Sequence, residues 1–239
     1  DSEVQAVFAT HSTVIVDELN HENIILARRT PDSRRGFHTE FSQLEGNFWD
    51  KYNLDEYKHN RFFRYRNSDF FFAKYVIVVE SPTDAQVISE LLRDVLQEKM
   101  FFVSILNLDG IKNLKYPYFL LKSLNIPFSM VVDKDFLTQY KNDKLSNSRN
   151  PTTQLPEYKN NANQYNPVIN SIWNSEISRC ELSSKLKQSY SKLFEYCAAY
   201  KLYPMQYCLE MDLVASTEGR AEYCRVMGIP NNDNAYKAL

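Results

Sequence analysis

Tyr75-Val76-Ile77-Val78-Val79-Glu80-Ser81-Pro82-Thr83-Asp84 is the stretch that decides the fold. Its apolar residues run without polar alternation and end on an acid, the pattern of a strand buried on both faces. Ser81 to Asp84 reads as a turn and a helix start. From Ala85 to Leu96 the residues Val87, Ile88, Leu91, Leu92, Val95 and Leu96 form one helical stripe. Working outward, Phe101–Leu108 repeats the strand pattern and Tyr118–Leu124 the helical one. Phe128-Ser129-Met130-Val131-Val132-Asp133 is a third strand that again ends in acid. Strand–helix–strand–helix–strand at these lengths predicts an α/β fold with a parallel sheet and right-handed crossovers.

Upstream, Val4 to Arg29 reads as strand, short helix, strand: Val4–Thr10, Val14–Leu19 and Asn23–Arg29. Both strands lack alternation and are expected to be buried on two faces. Pro31 to Asn67 is polar, with turn signals at Pro31-Asp32-Ser33 and Arg35-Gly36, and reads as a linker with one or two helices. Within it, Arg61-Phe62-Phe63-Arg64-Tyr65-Arg66 is either a run that touches a nucleic-acid backbone or an amphipathic helix with snorkelling arginines. Downstream, Leu137 to Asn166 is rich in Asn, Lys, Gln and Pro and reads as a mobile excursion. Pro167 to Leu239 is largely helical by pattern, with a stripe of Leu182, Leu186, Tyr190, Leu193, Tyr196 and Cys197.

Composition excludes several function classes. The 239 residues hold only 5 glycines, too dispersed to write a P-loop or a dinucleotide-binding fingerprint. No stretch is long and apolar enough to span a bilayer, and no secretory signal is visible. Cys180, Cys197, Cys208 and Cys224 form no C-x-x-C and read as free thiols in a reducing cytoplasm. A formal net charge of −2 announces no nucleic-acid binder, yet leaves room for a local basic groove.

The chemistry-bearing residues are acidic. Glu80 ends one strand and Asp84 follows in the first turn of the next helix, while Asp133 and Asp135 form a D-x-D element at another strand end. Open α/β sheets place ligands at that edge. In an extended strand end, residues i and i+2 point the same way, so both aspartates are expected to face one cation. Glu210 and Asp212 add a third acidic element in Leu209-Glu210-Met211-Asp212-Leu213. Clustered carboxylates repel unless a cation neutralises them, and an all-oxygen set suits Mg²⁺, Mn²⁺ or Ca²⁺. Taken singly, each acid also has an ordinary reading, as a helix cap or a solvated helix face.

The Glu80 element and the later Asp133-Lys134-Asp135 resemble the signature of the TOPRIM domain, and most closely that of the overcoming-lysogenization-defect (OLD) family of nucleases. Phe71-Phe72-Ala73-Lys74-Tyr75 before the strand and Leu209 to Leu213 fit that family too, as do Thr10-His11-Ser12 and Ile24 to Arg29, which resemble the end of its ABC-type ATPase domain. Ser81 stands where the family carries glycine, the Walker motifs are missing, and residues 138–166 match nothing in the pattern.

The resemblance implies a Rossmann-like, mostly parallel TOPRIM sheet flanked by helices. It divides the chain into 1–36, the end of an ATPase domain; 37–69, linker helices; and 70–239, a nuclease domain with a helical C-terminal part. It implies a metal-dependent DNA endonuclease in bacterial anti-phage defence, cytoplasmic, regulated by an ATPase domain lying mostly outside this chain. Two Mg²⁺ or Mn²⁺ ions are held by Glu80, Asp84, Asp133, Asp135, Glu210 and Asp212, with Glu80 also a base or bridging ligand. Lys237 is the candidate phosphate-stabilising lysine. His11 resembles the histidine that senses the γ-phosphate of ATP, and ATP enters only through the upstream domain. The implied partners are DNA, a second copy of the chain through the ATPase domain and an accessory defence protein, with no membrane. Two alternatives stay open: a TOPRIM nuclease that cuts RNA or tRNA, and a degenerate TOPRIM module that only mediates interactions.

Overall fold

A computed structural model describes residues 6–34, 36–64, 66 and 68–231. In chain order the elements are α1 (Thr13–Asp17), β1 (Leu26–Asp32), β2 (Gly36–Ser42), α2 (Phe48–Tyr52), α3 (Glu56–Phe63), β3 (Tyr75–Val79), α4 (Pro82–Leu96), β4 (Val103–Asn107), α5 (Lys115–Ser123) and β5 (Phe128–Val132). There follow α6 (Lys134–Leu137), α7 (Pro167–Ile172), α8 (Glu176–Gln188), α9 (Tyr190–Ala198), β6 (Leu202–Pro204), α10 (Leu209–Ala215) and α11 (Thr217–Met227).

The fold is mixed α/β around a parallel four-stranded sheet in the order β4-β3-β5-β6. Val76, Val78 and Val79 of β3 are fully buried, and sealing each valine from water contributes about 1.5–3 kcal/mol. The outer strand β6 runs parallel to β5, with Met130 opposite Leu202 and Val132 opposite Pro204. Met130 N–H donates to the Lys201 carbonyl at 2.9 Å and Met205 N–H to the Val132 carbonyl at 2.8 Å. The carbonyl of Pro204 accepts from the Tyr190 hydroxyl at 2.8 Å.

The chain forms two compact units, each assembled from several segments. The first comprises Asp1–Ile77, Leu92–Leu106 and Tyr116–Phe128; the second comprises Val78–Leu91, Asn107–Lys115 and Ser129–Leu239. In the first unit, β1 and β2 form an antiparallel hairpin with Leu26 opposite Ser42 and Asp32 opposite Gly36. Gly36, at φ +78°, takes the left-handed turn that an L side chain disfavours. An aromatic box follows. His21 and His59 are buried, with His21 Nδ1 3.0 Å from His59 Nε2. Trp49, Phe63 and Phe71 pack edge-on or tilted against the two rings.

Three upstream expectations change. The strand expected at Val4–Thr10 is absent from its described part: residues 6–10 are irregular, and Val7 and Phe8 are each 84% exposed. Asn23–Arg29 is a strand only from Leu26, and pairs in a half-exposed hairpin rather than a buried parallel sheet. The linker at 31–67 contains β2 as well as α2 and α3. Phe62 and Phe63 of the arginine-rich run are core residues of α3, and the Arg66 guanidinium lies 3.8 Å from the Phe62 ring centre. The part of the run inside α3, up to Phe63, follows the amphipathic pattern.

In the second unit, the helical stripe of 182–200 is broken in two. Ser189 accepts the Lys192 N–H and caps α9 directly after α8 ends. The four cysteines are free thiols. The excursion at 137–166 closes on itself. Lys141 N–H donates to the Glu157 carbonyl at 3.0 Å and Lys159 N–H to the Gln139 carbonyl at 2.8 Å, and Tyr140 and Tyr158 pair across an antiparallel bridge. Its asparagines are structural: Asn150 Oδ1 accepts from Thr152 N–H at 2.9 Å and Thr153 N–H at 3.0 Å.

Candidate functional site

Glu80 leaves the C-terminal end of β3 half-buried. Immediately after it, Ser81 Oγ accepts the Asp84 N–H at 3.1 Å while Asp84 Oδ2 accepts the Ser81 N–H at 2.9 Å. This reciprocal pair is a capping box at the start of α4, with Pro82 at the first helical position. Serine in place of glycine thus supplies a cap where glycine would supply only backbone freedom. Beside it, the loop after β4 turns through two positive-φ residues, Asp109 at 52° and Gly110 at 107°. The turn is tied by Asn113 Nδ2 donating to the Leu108 carbonyl at 2.9 Å and by Gly110 N–H donating to the Glu80 carbonyl at 3.2 Å. The Glu80 carboxylate itself accepts from the Ile111 N–H.

Asp133 follows β5 in extended conformation, at φ −69° and ψ 156°, and precedes α6, in which Asp135 lies. The D-x-D element therefore straddles a strand–helix junction. The expectation that both side chains share one direction along an extended strand does not hold, although the two carboxylates still repel each other electrostatically. Asp135 Oδ2 accepts the Tyr140 hydroxyl at 3.3 Å. On α10, Glu210 is exposed and belongs to the same charge cluster, adding to the repulsion on both Glu80 and Asp133. Asp212 is engaged otherwise. Its Oδ2 accepts the Gln206 N–H at 2.7 Å and its Oδ1 the Tyr207 N–H at 3.0 Å.

Burial pushes Glu80 up to about 7, helped by Asp135, Asp84 and Glu210. Burial pushes Asp133 up to about 8, helped by Glu80, Asp135, Asp84 and Glu210. Asp135 reaches solvent, yet the protein around it raises its carboxyl too, against hydrogen bonds from Tyr140 and the Phe136 N–H that favour the anion. Glu80, Asp84, Asp133, Asp135 and Glu210 thus form one mutually repelling group inside the second unit.

Among the described residues, no three His, Cys, Asp or Glu side chains form a ready metal-ligand set. Mg²⁺ nonetheless uses as few as one or two carboxylates with water and substrate phosphate completing its shell. The nearby Cys208 thiol is pushed up to about 12 by burial and stays protonated at neutral pH. The carboxylates Glu80, Asp84, Asp133, Asp135 and Glu210 are oxygen donors, and their chemistry fits a hard divalent cation.

Lys237 lies outside the described residues. His11 is exposed in the first unit, in the irregular stretch before α1. Three residues around the carboxylates escaped the sequence reading. Lys134, inside the D-x-D element, places its ammonium 5.0 Å from the Tyr158 ring centre and 5.8 Å from that of Tyr207. Its pKa is lowered by burial and held up by Asp212. Tyr140 and Tyr158 stack at 5.1 Å and 26°. An aromatic cluster facing an acidic one was the available signal, scattered over seventy positions.

Among the described residues, no helix is long and apolar enough to cross a membrane. Residues 71–135 match the family model of the overcoming lysogenization defect protein-like TOPRIM domain. No curated protein matches the chain. The C-terminal region of the Xanthomonas campestris pv. campestris OLD protein, phased with platinum, is similar at 19% identity and a TM-score of 0.38, over 66% of this chain and 64% of that one. The same region phased with mercury gives 18% identity and a TM-score of 0.38, over 66% of this chain and 63% of that one. The match thus spans less than two thirds of either solved chain. A TOPRIM domain of this kind suggests a nuclease-type function on nucleic acid, and TOPRIM domains generally bind divalent metals. The segment that carries Glu80 and the D-x-D element is thus similar to the OLD-like TOPRIM domain over residues 71–135.

Proposed function

We propose that the chain is a Mg²⁺- or Mn²⁺-dependent endonuclease that nicks or cleaves DNA. The observation that carries this reading is the convergence of Glu80, Asp84, Asp133, Asp135 and Glu210 into one mutually repelling group at the ends of β3 and β5 and the start of α10. Such a group is relieved by protonation or by a bound cation, and near and above pH 7 to 8 the cation is the relief that remains.

Glu80, Asp133, Asp135 and Glu210 would hold the metal, with Asp84 contributing through its Oδ1 because Oδ2 is committed to the capping box. Bound there, divalent ions supply an activated water and charge neutralisation for in-line phosphodiester displacement. Glu80, lifted toward neutrality by burial, is suited to accept a proton from the attacking water. Asp212 we place as a positioning residue: it fixes the Gln206–Tyr207 turn that leads into Glu210. Lys237 is the proposed phosphate-stabilising lysine. Residues 1–36 are proposed as the end of an ATPase domain, with 37–69 a connecting segment and 70–239 the nuclease domain. The larger setting is anti-phage defence in the cytoplasm, with assembly through the ATPase domain and an accessory protein.

The test is relaxation or linearisation of supercoiled plasmid by the wild-type chain and by Glu80→Ala, with Mg²⁺, with Mn²⁺ and with chelator, beside a tRNA substrate. Metal-dependent plasmid cleavage abolished in Glu80→Ala is expected. Cleavage of tRNA alone moves the reading to an RNA nuclease. Cleavage unchanged in Glu80→Ala overturns the assignment of the site.

A further inference from the structure

Residues 138–166 lie beyond the TOPRIM match at 71–135, yet they are built into the carboxylate group. The hairpin is rooted by Thr138, whose fully buried hydroxyl lies 2.7 Å from the Lys159 carbonyl and 2.8 Å from that of Asn161. Ion pairs Lys141–Glu157 at 2.8 Å and Lys159–Asp143 at 3.0 Å tie its two strands together. Its Leu155 packs on the cluster of Met211 and Val214 in α10, the helix that carries Glu210.

The tyrosine pair across the bridge turns this scaffold toward the acids. The Tyr158 hydroxyl donates to the Tyr207 carbonyl at 3.4 Å, the same carbonyl that accepts the Lys134 N–H at 2.9 Å. Lys134 covers the ring of Tyr158, and Tyr140 stacks on that ring. Tyr140 then places its hydroxyl on Asp135 Oδ2 at 3.3 Å. Asp135 is exposed at the start of a short helix, and backbone amides of its own turn, Phe136 N–H among them, also meet its carboxylate. A phenol held by stacking adds a side-chain anchor to Oδ2, and a carboxylate has further lone pairs to offer a cation.

We propose that Tyr140 is a positioning residue for Asp135, holding one carboxylate oxygen so that the other can meet a divalent cation, and that the 138–166 hairpin serves to deliver it. This rests on the reading of the carboxylate group as a metal site. Hydrogen-bond partners of metal-ligating side chains tune affinity by about 10–100-fold, and the long Tyr140 contact belongs at the lower end.

The experiment is calorimetric titration of the whole chain with Mn²⁺ for wild type, Tyr140→Phe and Tyr165→Ala, the last an exposed tyrosine of the same hairpin. Plasmid nicking as a function of Mn²⁺ accompanies it, with melting temperature as the folding control. Phenylalanine keeps the stack, so melting should be unchanged. The expected result is a Mn²⁺ dissociation constant weakened about tenfold in Tyr140→Phe. Half-saturating Mn²⁺ for nicking should rise in parallel, with unchanged KM for DNA and an undisturbed Tyr165→Ala. Wild-type affinity in Tyr140→Phe overturns the proposal while leaving the metal site standing. Equal weakening in Tyr165→Ala also overturns it, because the effect is then not local. Absence of Mn²⁺ binding by the wild type removes the metal site and this proposal together.

Discussion

In the first unit His21 and His59 lie 3.0 Å apart among aromatic rings, whereas in the second unit Glu80 and Asp133 are half-buried among other carboxylates. Burial drives the histidines down, His21 to about 4 and His59 to about 2, so near neutral pH both are uncharged. One imidazole then donates to the other, and the rings behave as core aromatics. Carboxyls of the second unit are driven up by burial and by one another, so Glu80 and Asp133 take on their full charge only as the pH rises through 7 and 8. The same solvent-exclusion physics gives a settled core in one place and an unsettled group of carboxyls in the other.

The most severe way to break this contrast is Asp133→Asn. Plasmid cleavage is expected to fall by about 10³-fold, in the range seen when one preorganised electrostatic group is removed. The fold should not suffer: in chelator at pH 8 the variant should melt at or above the wild-type temperature, because a repelled charge is gone. A clear loss of stability there would show that the aspartate is structural. His59→Ala should do the reverse, costing about 3 kcal/mol through the cavity left in the aromatic box. Denaturant titration of the wild type and variant checks this, and a change below about 1 kcal/mol would mean that the box can collapse around the gap.

Acidity sharpens the contrast, since the two regions respond to pH with opposite sign. The histidines have folded pKa values below their unfolded 6.5, so their contribution is present above pH 6.5 and lost as pH falls toward 4 and below. For His21 the loss is on the order of 3 kcal/mol. Glu80 and Asp133 have folded values above their unfolded 4.5 and 3.8, so without divalent ions stability declines as pH rises through 7 and 8. Hydrogen exchange in chelator at several pH values should show first-unit amides opening on the acid side and second-unit amides on the alkaline side. Parallel slopes in the two units would contradict the electrostatic account. The mildest effect belongs to Ser81→Ala, which removes half of the capping box. It should cost about 1 kcal/mol, read as a lower denaturation midpoint, with cleavage within a few-fold of wild type.

Much of the sheet was legible because β3 and β5 are short apolar runs that each end in an acid, and β-branched residues in such runs have few other homes. Their acids were legible for the same reason, as charges stranded at strand ends. What escaped was structure made without hydrophobic periodicity. β6 has three residues and ends in proline, too little for any pattern. The β1–β2 hairpin contains Pro31 and charged residues, and its pairing partner lay in what reads as linker. The 138–166 hairpin is held by asparagine side chains, ion pairs and a buried threonine, which in sequence look like the composition of a mobile loop. The direction of Asp135 depends on where β5 stops and α6 starts, a boundary that spacing alone does not mark.

Pro204 bears on how copies of this protein meet at high concentration. It closes the outermost strand of the sheet, opposite Val132. A proline has no amide hydrogen to offer, and its carbonyl is already taken by Tyr190. A foreign strand approaching that margin finds neither donor nor acceptor at this residue. At this residue the β6 edge is closed to a pairing strand, by one ring and one phenol.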